Sequence, residues 1–469
     1  MTASPDILVI GAGPAGMAAA VTAAEGGAEI LLVDEQPSPG GQIWRSIEAA
    51  PARRRALLGE DYALGQAATA GLRAANVTCR FETTVWHLGR AAPGGLEVGL
   101  VTAGRAALLA PAQVIVATGA MERPFPIPGW TLPGVMTAGA AQGLLKSAGA
   151  AAEGAVFAGT GPLLWLVASQ YRAAGLPIAA VLDTTHAAAR RRALRHLPAA
   201  LTRVDMLVKG WRWQRALITA GVPVISGIDR LAVEGDGRAE AVAWSTEDGR
   251  RGRIETEHVF LHQGVVPAAN LTIAAGLTHD WDEGQLAWVP RLDRWGASSL
   301  EGVHVAGDGG GIAGWRAAEA RGRLAALDVL RRLGRMTRQS RDDAARPWQK
   351  ICTQEARIRP FLDALCRPRA AFRVPPDPAT IICRCEELTR ADLEPAIAVG
   401  LEGPNQLKSF SRAGMGPCQG RLCALTVQGL IAERTGRSLA AVGHYRLRPP
   451  IKPIDLAALA DMEIADDAA

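Results

Sequence analysis

The apolar run Ile7-Leu8-Val9-Ile10 gives way to six residues rich in glycine and then to an alanine-rich stretch that ends near Gly26-Gly27. Strand, tight loop and helix are predicted in that order. A second short run, Ile30 to Val33, follows, and a third, Ala155 to Ala158, leads through Gly159-Thr160-Gly161-Pro162 into another helix and then to Ile178 to Leu182 and Asp183. Short apolar runs without alternation are typical of strands covered on both faces, so the pattern predicts an α/β chain with parallel sheets. Two uncharged runs, Pro124 to Leu145 and Gly154 to Tyr171, approach the length of a membrane span. Prolines and glycines interrupt the first and a turn the second, so both predict soluble strand-turn-helix structure.

The first loop is Gly11-Ala12-Gly13-Pro14-Ala15-Gly16. In a dinucleotide fold the first glycine permits the tight turn, the second lets backbone approach a pyrophosphate, and the third allows the helix to pack closely on its strand. The helix N-terminus then faces the phosphates. The second strand ends at Asp34-Glu35, with Asp34 18 positions after Gly16. Either acid is placed to accept hydrogen bonds from ribose hydroxyls. Gly40, Gly41 and Gln42 offer a further stretch where backbone can approach a cofactor. In the later loop Leu164 stands at the third glycine position, which widens the turn. A functional NAD(P) site, another bound nucleotide and a retained scaffold all stay open there.

Two more segments resemble the two-dinucleotide-domain flavoproteins: Val116-Ala117-Thr118-Gly119-Ala120 and Val303-His304-Val305-Ala306-Gly307-Asp308. The resemblance implies FAD as the first ligand, with Thr118, Gly119, Gly307 and Asp308 lining it and a helix from about Gly311 facing the flavin ring. It also implies a discontinuous FAD domain, residues 1–125 and 281–335, with an NAD(P)-like domain inserted at 126–280.

The length of 469 residues suits about three domains. Seven cysteines, unevenly spaced, are too few for a secreted disulfide framework, so the thiols are expected to be reduced and the protein cytoplasmic. No export signal is expected. The net charge of +5 lies in short arginine clusters without interleaved aromatics, which argues against a nucleic-acid partner. The nucleotide-binding part contains only Cys79, so disulfide reduction through a C-x-x-C pair is excluded. No H-E-x-x-H cluster or G-x-S-x-G elbow supports hydrolysis. His262 ends an apparent strand and reads as a satisfied structural histidine; no catalytic residue is identified.

After an expected linker at 336–377, rich in arginine and proline, a small module at 378–445 carries Cys383, Cys385, Cys418 and Cys423, spaced C-x-C, 32 residues, C-x4-C. Thr389 with Asp392 predicts a capped helix that stops at Gly400. Four thiolates suit a 2Fe-2S cluster, and zinc accepts the same ligands. The unequal spacing beside a flavin fold favours iron-sulfur. Residues 446–469 form a C-terminal tail.

Taken together, the glycine loop, Asp34-Glu35-Gln36-Pro37, Gly40-Gly41-Gln42-Ile43-Trp44-Arg45, Pro133-Gly134-Val135-Met136-Thr137-Ala138-Gly139-Ala140-Ala141-Gln142 and the cysteine module resemble the α subunits of multi-subunit bacterial amine and imino-acid dehydrogenases: opine oxidase, D-hydroxyproline dehydrogenase, proline dehydrogenase and hydrogen cyanide synthase. Trp44 replaces the family's usual tyrosine. The resemblance implies an FAD-dependent electron relay. A partner β subunit of D-amino-acid or sarcosine oxidase type, with its own FAD, oxidises the C–N bond; a downstream acceptor follows. It admits FMN at the subunit interface, a small third subunit, and peripheral association with the inner membrane through the acceptor. An autonomous NAD(P)H-dependent reductase and a non-enzymatic metal-binding docking or sensing unit are the alternatives.

Overall fold

The computed structural model describes residues 4–91 and 94–462. Its first sheet is parallel, in the order Val303–Val305, Gln113–Val116, Ile7–Ile10, Ile30–Val33, Thr78–Arg80. The strand after residue 300 thus completes a sheet begun at the N-terminus. The helices Pro14–Glu25 and Trp315–Arg332 cover one face, in contact so close that a Cβ on Gly322 would lie 2.1 Å from the Ala15 carbonyl oxygen. The glycine loop and the last segment of the domain are therefore pressed against each other.

Between those segments sits a second parallel sheet, ordered Val224–Ser226, Ile178–Asp183, Ala155–Thr160, Val259–Gln263, Val135–Thr137. Each sheet is accompanied by a three-stranded antiparallel meander: Thr83–Arg90, Leu96–Thr102 and Arg105–Leu109 in one case, Ile228–Glu234, Ala241–Thr246 and Arg251–Glu255 in the other. The chain passes between the two units along a ribbon of Ala120–Glu122 against Val265–Pro267.

The segment expected to be a linker is helical. It forms Arg338–Ala356, Arg359–Leu365 and Ala370–Arg373, the first capped by the Thr337 hydroxyl, which accepts from the Ser340 N–H. Its arginines bind specific acids instead of extending the chain. Arg341 meets the buried Asp328 carboxylate at 2.6 Å, and Arg331, Arg332 and His304 converge on the same group at 3.0, 2.7 and 3.2 Å. One carboxylate therefore ties this segment to the first domain.

The cysteine module has its own core around Ile382, Leu393, Leu407 and Leu430. The expected capping box forms, with Thr389 and Asp392 bonding reciprocally at the start of the helix Arg390–Ala398, and Gly400 follows at φ +103°. Indole and amide groups dock the module: Trp130 donates to the Ile381 carbonyl and Asn270 to the Gln419 carbonyl, both at 2.8 Å. The tail returns to the first domain, where the Ile451 N–H meets the Trp86 carbonyl at 3.0 Å and Lys452 meets Glu35 at 2.9 Å. Residues 463–469 of the expected tail lie outside the described residues.

Candidate functional site

The residues expected to hold the flavin come together at the carboxyl ends of the first sheet. A Cβ on Gly11 would stand 2.5 Å from the Ala117 carbonyl oxygen, and one on Gly16 only 1.7 Å from the Gly11 carbonyl oxygen. These positions accept hydrogen alone. Pro14 and Ala15 open the helix with no side-chain cap, so its first N–H groups are left for a ligand. The Gly40 N–H donates to the Ala12 carbonyl at 2.8 Å, and a Cβ on Gly41 would fall 2.7 Å from the Gly13 Cα. The second glycine stretch is thereby laid over the first.

Asp34 and Glu35 separate cleanly. The Asp34 carboxylate turns inward and accepts from the Ala12 N–H at 2.6 Å and the Gln36 N–H at 2.7 Å. Burial holds its pKa above the usual aspartate value, against the pull of those two N–H groups. Glu35 points outward to Lys452.

Thr118 and Gly119 are fixed by Ala268, whose carbonyl accepts from the Thr118 hydroxyl at 3.1 Å and whose N–H donates to the Gly119 carbonyl at 2.9 Å. Gly309 lies beside both, and a Cβ on Gly307 would be 2.8 Å from that of Ala15. The helix expected from about Gly311 begins at Trp315. Gly311 and Gly314 take φ of +112° and +98°, and Asp308 accepts from the Ala313 and Gly314 N–H groups at 2.8 and 3.1 Å. Asp308 therefore shapes the loop ahead of the helix. Trp44 is buried and donates its indole N–H to the Asp61 carbonyl at 2.8 Å, a packing role.

Lys146 was not legible in the sequence. From the helix Ala138–Ser147 of the inserted domain it donates to the Gln42 carbonyl and to Gln142 Oε1, both at 2.9 Å. Burial, with the Arg45 guanidinium nearby, draws its pKa down to about 7. It ties the inserted domain to the Gly40-Gly41-Gln42 loop, and a lysine in an alanine-rich helix carries no local sign of this.

The second loop is differently occupied. His262 is buried, with Nδ1 2.6 Å from Glu122 Oε1, while Glu122 Oε2 accepts from the Gly139 N–H at 2.9 Å. Cys366, at the end of the helix Arg359–Leu365, sets its thiol against Thr160, and burial pushes that thiol up to about 12. Arg369 donates to the Thr184 carbonyl at 3.3 Å. The chain's own residues therefore lie against the carboxyl ends of two strands of this sheet.

The four cysteines meet crosswise. Cys383, at the end of the strand Ile381–Cys383, lies against Cys423 just ahead of the helix Ala424–Thr435; Cys385 lies against Cys418. Among the described residues no group of three or more His, Cys, Asp or Glu side chains is placed to hold a single metal ion. A Cβ on Gly416 would collide with that of Cys385 at 2.4 Å, which is why the loop needs glycine there. The neighbouring Cys423 thiol, then the N–H groups of Gly414, Glu386 and Cys385, bring the Cys383 thiol down to about 6, and the same proximity with burial pushes Cys423 up. Two thiols are buried and two half-exposed.

A model of the pyridine nucleotide-disulphide oxidoreductase family matches residues 5–325, and a model of the sarcosine oxidase A3 domain matches residues 378–462. An opine oxidase subunit of Agrobacterium tumefaciens (strain Ach5) is 46% identical, with 97% of this chain and 92% of that protein covered. This chain belongs to the opine oxidase family of oxidoreductase α subunits. Hydrogen cyanide synthase subunit HcnB of Pseudomonas aeruginosa is a more distant relative, at 33% identity over 97% of this chain and 98% of its own. The fold extends to L-proline dehydrogenase from P. horikoshii, with a TM-score of 0.73 at 19% identity, covering 97% of this chain and 79% of that one. The chain is a flavin-dependent oxidoreductase and forms part of a multi-subunit oxidase. Among the described residues no helix is long and apolar enough to cross a membrane.

Proposed function

We propose that this subunit relays electrons and leaves bond breaking to a partner. The substrate is an amino acid, imino acid or opine, of the D-hydroxyproline or octopine and nopaline kind. Its C–N bond is oxidised in an FAD-bearing β subunit of D-amino-acid or sarcosine oxidase type, and an acceptor downstream of this chain takes the electrons away. The observation that carries the reading is the meeting of Cys383 with Cys423 and of Cys385 with Cys418 in a module tied to the inserted domain by Trp130 and Asn270 and to the flavin domain by the Trp288 indole N–H, which donates to Gln428 Oε1 at 3.2 Å.

In this chain Gly11, Gly13 and Gly16 admit the FAD pyrophosphate to the N-terminus of the helix Pro14–Glu25, and Asp34 takes the ribose. Gly40, Gly41 and Gln42, the backbone at Thr118 and Gly119, and the Gly307-Asp308 turn close over the cofactor. The unequal C-x-C and C-x4-C spacing of the four thiolates, beside a flavin fold with a use for one-electron carriers, favours a dinuclear iron-sulfur centre over a single zinc ion. A bound flavin exchanges one or two electrons and a 2Fe-2S centre one, which divides a two-electron oxidation into single steps.

Co-purification of the native complex, followed by a substrate screen, tests the reading. Activity is expected only with the partner present, and strong amino-acid oxidation by this chain alone would overturn it. Dithionite reduction of the chain should reveal a paramagnetic iron centre, and Cys418→Ser should remove most of the iron; zinc with no paramagnetic signal would reject electron transfer through these cysteines. Because Cys366 lies against the second loop and Arg369 against the end of the neighbouring strand, anaerobic NADH or NADPH is expected to leave the flavin oxidised in the absence of the partner. Rapid bleaching would favour an autonomous reductase.

A further inference from the structure

Tyr445 closes the cysteine loop from the inside. Only 3% of it is exposed, and its ring presses on two glycines: a Cβ on Gly414 would lie 2.6 Å from Cζ, and one on Gly420 would lie 2.9 Å from Cδ2. Any side chain at either position would expel the ring. The phenol oxygen is buried and has no completed hydrogen bond, although the Cys423 thiol is the side chain set against it. A buried hydroxyl without a partner is destabilising, so its retention calls for an explanation.

Neighbouring groups hold the ring in that orientation. The Tyr445 carbonyl lies 2.9 Å from His444 Nδ1, and the His444 ring packs edge-on against Trp288 at 4.9 Å. On the other side Lys408 Nζ stands 5.8 Å from the centre of the tyrosine ring. The ring packs in one core with the buried Cys383 and Cys423, and the hydroxyl stands beside Cys423.

We propose that the Tyr445 hydroxyl donates a hydrogen bond to the Cys423 sulfur of the assembled 2Fe-2S centre and raises the potential at which that centre accepts its electron. This rests on the iron-sulfur reading above. Reduction adds one electron and transfers no proton: the added negative charge spreads onto the ligand sulfurs, where the positive end of the O–H dipole stabilises it. The thiolate supplies the acceptor that the hydroxyl lacks.

The test begins with wild-type chain, whose iron content and dithionite-reduced spectrum establish the cluster before any variant is made. If there is no iron-sulfur signal, the cluster reading fails and this inference with it. Given a cluster, Tyr445→Phe should keep full iron and lower the midpoint in a redox titration by at least about 59 mV, a tenfold change for a one-electron couple. An unchanged midpoint with full iron overturns the proposal. Should Tyr445→Phe lose its iron, the chain's three tyrosines make global replacement by 3-fluorotyrosine practical. The more acidic phenol is a stronger donor, so the midpoint should rise. No rise in that protein overturns the hydrogen bond.

Discussion

Gly16→Ala is expected to give a chain that is purified without its flavin. The added Cβ would stand 1.7 Å from the Gly11 carbonyl oxygen and 3.4 Å from the Ala117 Cβ, and the first of these contacts is with backbone that cannot rotate away. The helix Pro14–Glu25 must then lift off its strand, which carries the Gly13 backbone and the helix N-terminus away from the pyrophosphate. Overpacking of this kind costs about 1–3 kcal/mol. If it falls mainly on the bound state, affinity drops by roughly 10- to 100-fold. Flavin absorbance per chain after gel filtration, and the thermal shift produced by added FAD, would measure it. Gly71→Ala is the control, since that helical glycine has nothing within 4 Å of its Cβ position, and it should bind flavin normally. Full flavin content in Gly16→Ala would show that the loop tolerates the displacement.

Asp328→Asn is expected to be the most destabilising of the polar substitutions, by about 3–5 kcal/mol near neutral pH, because it removes the buried carboxylate on which Arg331, Arg332, His304 and Arg341 converge and leaves the buried Arg341 guanidinium with the half-exposed Asp342 alone. Burial alone would raise the Asp328 pKa, but hydrogen bonds from His304, Arg332, Arg331 and Arg341 outweigh it and hold the carboxyl well below the ordinary aspartate range. A depressed pKa stabilises the fold fully above the unfolded value, near pH 4, and that contribution is lost as the pH falls through the lower folded value. The stability gap between wild type and variant should therefore be constant from about pH 5 to 8 and shrink only on acidification below about pH 4. Urea unfolding across that range measures both features. A gap that closes already between pH 5 and 7 would show that the Asp328 carboxylate does not carry the effect.

Local chemistry made much of the architecture legible. The strand at Ile7 to Ile10, the glycine loop and the Thr389 capping box depend on neighbours within a few residues, and the structure forms all three. Composition was a poor guide to residues 338–373. A run of arginines and prolines suggests an exposed connector, but those arginines find Asp328, Asp363, Glu283 and Glu247, three of them distant in sequence from their partners. The start of the helix at Trp315 was displaced for a related reason, because Asp308 captures the Ala313 and Gly314 N–H groups and delays the first turn. The antiparallel meanders leave a fainter mark on the chain. Their alternation, such as the exposed ends of Arg251–Glu255, is weaker than the continuous runs of the parallel strands. Lys146 and Tyr445 were invisible for the most basic reason: each acts on a backbone or sulfur atom that only the folded chain brings near.

The strand Val303–Val305 pairs with Gln113–Val116 at the edge of the first sheet. A ribosome making this chain therefore releases the first four strands of that sheet long before the fifth exists, and synthesises the whole inserted domain in between. Domains generally fold as units as they emerge, so the inserted one can finish while its host still has an open edge. Early termination after residue 280 would leave that edge exposed beside a folded neighbour. Such a fragment is a candidate for aggregation or chaperone capture, whereas a chain that reaches Val305 closes the sheet itself.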